Sequence, residues 1–186
     1  MMQVVTKQPR PRVGRFNLIK EVFSTLLFGI AVFTLVQLSI PQSQVQGHSM
    51  DPTLGDGQRL VISRINYLFG EPKRGDIVVF NSPRPLQDNE PALIKRVIGL
   101  PGEVVEIIDN QIYVNGRLLD EAYLNEEWTA SGNRWELGAD DFFVMGDNRE
   151  HSRDSRVFGA VNRHAIIGEA VFRLWPLNHI GTLQAY

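Results

Sequence analysis

The chain has no cysteine among its 186 residues, which excludes disulfide scaffolds, thiolate metal sites and cysteine nucleophiles. Its four histidines, His48, His151, His164 and His179, form no HExxH and no paired-ligand spacing, so no metal is expected. Positive charge is not in excess either: 19 basic residues stand against 21 acidic ones. With a pI near 6.1 the chain lacks the electrostatic footprint of a nucleic-acid binder, and no nucleic-acid partner is expected. After Ile40 there is no amphipathic helix of ordinary length and no internal repeat.

What the chain does have is one long apolar run. Lys7, Arg10, Arg12, Arg15 and Lys20 precede VFSTLLFGIAVFTLVQLSI, Val22 to Ile40, which carries no charge. As a helix this run is about 28 Å long, close to the hydrocarbon thickness of a bilayer. A cleavable signal peptide has a shorter apolar core ending at a small-x-small site, whereas this run ends in SIPQSQ. The expected organisation is a basic cytoplasmic tail over 1–20, a retained transmembrane anchor over 21–40, and an extracytoplasmic domain over 41–186. That last part holds 14 basic and 20 acidic residues, which suits a soluble domain.

Beyond Pro41 the pattern becomes short strand-like runs: RLVISRI, GDIVVF, ALIKRVIGL, EVVEII, QIYVNGRLL, DFFVMG and EAVFRLW. Turn signals such as LGDGQ, EPKRGD, LPGE and VNGR separate them. The fold class expected is mostly β, an antiparallel β-sheet domain preceded by a single N-terminal transmembrane helix. EVVEIIDNQIYVNGRLL reads as two successive hairpins, with Asn115-Gly116 as a primed turn. Asn125 to Gly138 is polar and reads as loop.

Three stretches carry chemistry. In GHSMDPTL, Gly47 permits close backbone approach and Pro52 favours an extended Asp51. Ser49 is either a turn residue or a nucleophile, and a nucleophilic serine needs a base within hydrogen-bond reach. If this segment is extended, His48 points away from whatever Ser49 faces. A base could come from His151 with Asp147 or Asp154. It could also come from ALIKRVIGLPGE, where Leu93, Lys95 and Val97 share one strand face and Ile94, Arg96 and Ile98 the other. Lysine can lose its proton when buried and arginine cannot; the ordinary alternative is an edge strand whose charges reach water. In FFVMGDNREHSRDSRVFG, a strand over Asp141 to Met145 enters a loop dense in Asp, Asn, Arg and Ser. This is either a salt-bridged surface loop or a rigid frame whose Ser152 orients a buried amine.

In this order, SMDPTL, RGDIVVF, IKRVIGLPGE and GDNREHSRDSR resemble the bacterial type I signal peptidase family, as does the basic tail followed by an anchor. The resemblance implies Ser49 as nucleophile and Lys95 as general base of a Ser–Lys dyad. It implies Ser152 as the hydroxyl orienting the lysine, and Asp154 with Arg156 as a supporting polar pair. Asp147, Asn148 and Arg149 would shape the loop. Some members place a serine two positions before the nucleophile as an oxyanion donor, and here that position is Gly47. The implied activity is removal of signal peptides from exported preproteins after A-x-A sites, without metal or organic cofactor. Met50, Leu54, Leu93 and Ile94 are the candidate walls of the shallow substrate pockets.

The implied partners are preprotein signal peptides, the lipid bilayer and, by proximity, the protein-export machinery. The implied location is the bacterial inner (plasma) membrane, or a thylakoid membrane in a photosynthetic cell. The short stretch between Glu103 and Asp141 implies a compact core without the large inserted subdomain of some members. Trp128, Trp135 and Trp175 are candidates for membrane contact or for ordinary packing. Two other readings stay open: a Ser–Lys peptidase of a few special substrates, and a membrane-anchored β module that binds peptides without cutting them.

Overall fold

In the computed structural model, residues 15–39, 42–88, 90–124, 128–130 and 132–183 are described. The chain divides into two units, Met1–Ile40 and Pro41–Tyr186. The first contains helix α1 (Arg15–Ser39), a run rich in Leu, Phe, Val and Ile that Pro41 cannot continue. Its side chains from Lys20 to Val32 are exposed. Among the described residues no helix is long and apolar enough to cross a membrane. The expected span over 21–40 extends at its far end past the side chains described, and most of the expected tail lies outside the described residues.

The second unit is built from strands β1 (Gln42–Gln44), β2 (Arg59–Ser63), β3 (Ile77–Phe80), β4 (Leu93–Gly99), β5 (Val104–Ile108), β6 (Gln111–Val114), β7 (Arg117–Leu118), β8 (Asn133–Glu136), β9 (Asp141–Met145), β10 (Val161–Asn162), β11 (Ile166–Trp175) and β12 (Gly181–Thr182). Helix α2 (Ser155–Phe158) is a single turn. Every pairing is antiparallel. The larger sheet runs β1-β2-β11-β3-β4-β9-β10 with β12 beside β11, and the smaller runs β7-β6-β5-β8. The mostly antiparallel β domain expected from the sequence is what folds.

Alternation along the strands fills both faces of the larger sheet. Ile77 and Val79 point into a cluster with Leu60, Ile62, Met50 and Leu54, while Val78 and Phe80 join Val97, Val144 and Phe158. Each fully buried side chain of this kind contributes roughly 1.5–3 kcal/mol. Ile98, Phe143 and Met145 pack instead against the smaller sheet and Trp128.

Both expected hairpins form. Asp109-Asn110 and Asn115-Gly116 occupy their turns with positive φ at every position, the geometry of primed turns that match strand twist. The stretch read as loop differs: Asn133–Glu136 is β8, with Trp135 opposite Val105 and its ring 4.6 Å from that of Phe143. One aromatic in an otherwise polar segment is enough to hold an edge strand on a core. Trp128 is likewise buried, whereas Trp175 is half exposed.

Candidate active site

The centre of the site is set by strand register. In β4, Lys95 stands opposite Val78 and Arg96 opposite Ile77, and Arg96 also pairs with Met145 at the end of β9. Both charged residues are therefore interior: Lys95 is 3% exposed and Arg96 is 0% exposed. The loop that leaves β9, Gly146 to Asp154, closes over this point.

Arg96 is neutralised by a carboxylate. Its Nε and Nη2 donate to the two oxygens of Asp147 at 2.8 and 2.7 Å, and Nη1 donates to the Gly75 carbonyl at 2.9 Å. Its guanidinium also lies 4.1 Å from the centre of the Tyr123 ring. Such a bidentate pair fixes the loop against β4 in one geometry.

Lys95 has no carboxylate partner of this kind. Its Nζ donates to Ser49 Oγ at 2.7 Å and to the Ile94 carbonyl at 2.7 Å. Burial pulls its pKa down to about 8, with the Asp154 and Asp147 carboxylates opposing the shift and the Arg153 cation adding to it. A buried amine with a lowered pKa, in contact with a serine hydroxyl, is the arrangement that activates a nucleophile.

Ser49 is delivered by turns rather than by a strand. Asp51 N–H donates to the His48 carbonyl and Leu54 N–H to the Met50 carbonyl, so the extended conformation considered for GHSMDPTL is not the one adopted. Met50 and Leu54 point to the same side and are fully buried in the core. They are not among the residues that line the cleft over Ser49 and Lys95, because a helical turn directs residues four apart inward together. His48 is exposed and places Nδ1 3.0 Å from Asp51 Oδ2. Gly47 has φ +84 and open space where a Cβ would stand, so a glycine suits this backbone conformation rather than a close approach.

The loop after β9 grips this turn. Asn148 donates from its backbone N–H to the Ser49 carbonyl at 3.1 Å and from Nδ2 to the His48 carbonyl at 3.0 Å. A Cβ on Gly146 would overlap both the Ser49 carbonyl oxygen and Ser152 Oγ. Ser152 thus lies against the same glycine as Ser49, and its buried hydroxyl has no hydrogen-bond partner among the described residues; no bond joins it to Lys95. Asp154 is fully buried, accepts from Gly146 N–H at 3.1 Å, and takes Nε and Nη2 of Arg156 at 2.8 and 2.9 Å. It also caps α2 through the Arg156 N–H. His151 contacts Asn148, while Asp147 and Asp154 are each occupied by an arginine, so His151 pairs with neither carboxylate.

A cleft of about 380 Å³ opens over Ser49 and Lys95, with residues 43–46 along one wall and residues 90–94 along the other. Leu93 and Ile94 line it. Among the described residues, no cluster of His, Asp and Glu could hold a metal ion.

A family model described as signal peptidase, peptidase S26, matches residues 15–175. The chain belongs to this family. A signal peptidase I of Leptolyngbya laminosa is 37% identical over 185 residues, covering 97% of this chain and 90% of the relative. A probable signal peptidase I-2 of Synechocystis is 39% identical over 160 residues, covering 85% and 71%. The crystal structure of a signal peptidase I from Enterococcus faecalis is 37% identical, covers 53% of this chain and 96% of its own, and has a TM-score of 0.45.

Sequence reasoning brought out Ser49, Lys95, Ser152, Asp154 and Arg156, and the fold gathers them around Gly146. It did not bring out the Arg96–Asp147 pair, the contacts of Asn148, or Gly146 itself. The alternating ALIKRVIGL carried the signal for Arg96, since both strand faces are apolar around a charge. The RGD triplet is structural: Arg74 pairs with Glu103 at 2.7 Å, and Asp76 accepts from Tyr67 Oη and the Lys73 N–H.

Proposed function

We propose that this chain is a membrane-bound serine endopeptidase that removes N-terminal signal peptides from exported preproteins after small-x-small sites. The observation that carries the reading is the 2.7 Å contact between Lys95 Nζ and Ser49 Oγ in a buried setting. Neutral Lys95, oriented by donation to the Ile94 carbonyl, accepts the Ser49 proton as Oγ attacks the scissile carbonyl carbon. The carbonyl electrons move onto oxygen, and the Ser49 N–H stabilises the oxyanion. Collapse expels the amine of the mature protein, which takes the proton held by Lys95. Water then loses a proton to Lys95 and attacks the acyl ester; as the signal peptide acid is released, the Ser49 oxygen leaves with the proton from Lys95, which restores the neutral amine. Ser152 is the hydroxyl that receives a Lys95 N–H during this cycle, and Asp154 with Arg156 holds the loop that carries it.

The cleft supports an extended substrate. Among the described residues β1 pairs only with β2 and ends the sheet, so its other edge can take a peptide strand whose alternate side chains enter pockets. Leu93 and Ile94 bound those pockets, favouring small side chains. The membrane anchor over 21–40, the tail over 1–20 and residence in the plasma or thylakoid membrane beside the export machinery are proposed from the charge-free run and the basic residues before it.

The test uses the full-length protein in vesicles with a preprotein carrying an A-x-A site. Cleavage after that site, absent in Ser49→Ala, supports the reading. Cleavage that survives Ser49→Ala, or none by the unaltered chain, overturns it. Extraction of the protein from membranes by alkaline carbonate contradicts the anchor.

A further inference from the structure

Arg153 lies between Ser152 and Asp154 in the loop over the site, yet it makes no bond within that loop. Its Nη1 donates to Glu90 Oε1 at 2.8 Å, its Nη2 donates to the Arg84 carbonyl, and its guanidinium sits 5.6 Å from the centre of the Phe158 ring. Phe158 is buried and contacts Phe80 edge-on, so the cation is seated on the core. Glu90 in turn accepts from the Leu86 N–H at 3.0 Å through its other oxygen. The same Glu90 begins the stretch that forms one wall of the cleft, through Pro91, Ala92 and Leu93.

We infer that Arg153 is a positioning residue, whose fork ties the Glu90–Leu93 wall of the substrate cleft to the loop carrying Ser152 and Asp154. The inference rests on the peptidase reading of that cleft. Without this tie the wall is a surface segment whose fixed position is not otherwise secured by charge. A substrate strand meeting a loose wall loses the ordering that alternate pockets require. Arg153 also has an electrostatic role at Lys95. The groups facing that amine are the carboxylates of Asp147 and Asp154, which favour the ammonium, and the Arg153 cation, which disfavours it. Asp147 and Asp154 are each paired with an arginine, and Glu90 is paired with Arg153 itself.

The experiment compares Arg153→Met, Arg153→Lys and Glu90→Gln in the full-length protein with a peptide substrate, alongside hydrogen exchange at Leu86 and Ala92. Arg153→Met is expected to raise KM by about tenfold with a much smaller change in kcat, the effect of losing charge-assisted hydrogen bonds. Its acid pH limb is expected to move upward, because a cation near Lys95 is gone. Arg153→Lys is expected to keep the pH limb but not the full affinity, and Glu90→Gln to raise KM without moving the limb upward. Exchange at Leu86 is expected to quicken in Arg153→Met and Glu90→Gln. Unchanged KM together with unchanged exchange overturns the inference while the unaltered enzyme still cleaves. A uniform fall in kcat at constant KM also overturns it. If no variant and no unaltered protein cleaves, the peptidase reading has failed, and exchange alone then decides whether the tie exists.

Discussion

Lys95 Nζ lies 2.7 Å from Ser49 Oγ across 46 residues of chain, whereas His48, next to Ser49, contacts Asp51 at the surface. The neighbours part because the segment turns and the loop after β9 grips its carbonyls. The distant pair meets because β4 runs beside β9, and the loop leaving β9 holds the Ser49 turn over Lys95. The consequences of a buried lysine follow from its environment.

The proposed mechanism needs the neutral amine, and burial brings the Lys95 pKa down to about 8. Below that value the ammonium has no lone pair to accept the Ser49 proton. The rate, followed as kcat/KM against pH, is expected to climb about tenfold per pH unit toward pH 8 and then level. A rate constant between pH 6 and pH 9 contradicts a lysine base.

The same shift sets a stability effect of opposite usefulness. The folded pKa lies below the unfolded value of 10.5, so between about 8 and 10.5 the unfolded chain binds more protons. Stability of the unaltered protein therefore rises with pH across that window, and below it the buried charge costs on the order of 3 kcal/mol. Lys95→Met is expected to unfold at higher denaturant than the unaltered protein at pH 7, with the advantage shrinking toward pH 10.5. Equal midpoints at pH 7 would contradict the desolvation account.

The Arg96–Asp147 pair is fully buried, so removing one partner strands the other. Asp147→Leu and Arg96→Met are each expected to destabilise by about 3–5 kcal/mol, while the double change combining them costs less than the two single losses added together. Denaturant titration of the four proteins measures the coupling directly.

Gly146 touches both serines of the site. Gly146→Ala must push apart the Ser49 carbonyl and Ser152, and is expected to cost about 1–3 kcal/mol of stability. Because that displacement moves Ser49 from Lys95, activity is expected to fall far more than the loss of stability accounts for. Retained kcat in this variant contradicts the close contact.

Much of this was legible in the sequence, for identifiable reasons. Short apolar runs bounded by turn signals marked β9 and the hairpins of β5, β6 and β7, where local preference and fold agree. The apolar run around Lys95 and Arg96 left open both buried charge and an edge strand reaching water, and it did not tell which of the two would be paired. The burial of Met50 and Leu54 in the core was not legible, because their direction depends on turns that only tertiary hydrogen bonds reveal. Gly146 opens the GDNREHSRDSR stretch, but its contact was not legible, since it meets a residue nearly a hundred positions earlier. β8 was hidden because Trp135 is its sole core anchor.

The most direct measurement is cleavage of one preprotein by Lys95→Ala and by His48→Ala, each in the full-length protein at pH 8. Loss of turnover in Lys95→Ala with near-normal turnover in His48→Ala is the predicted result. Near-normal turnover in Lys95→Ala with loss in His48→Ala contradicts the account.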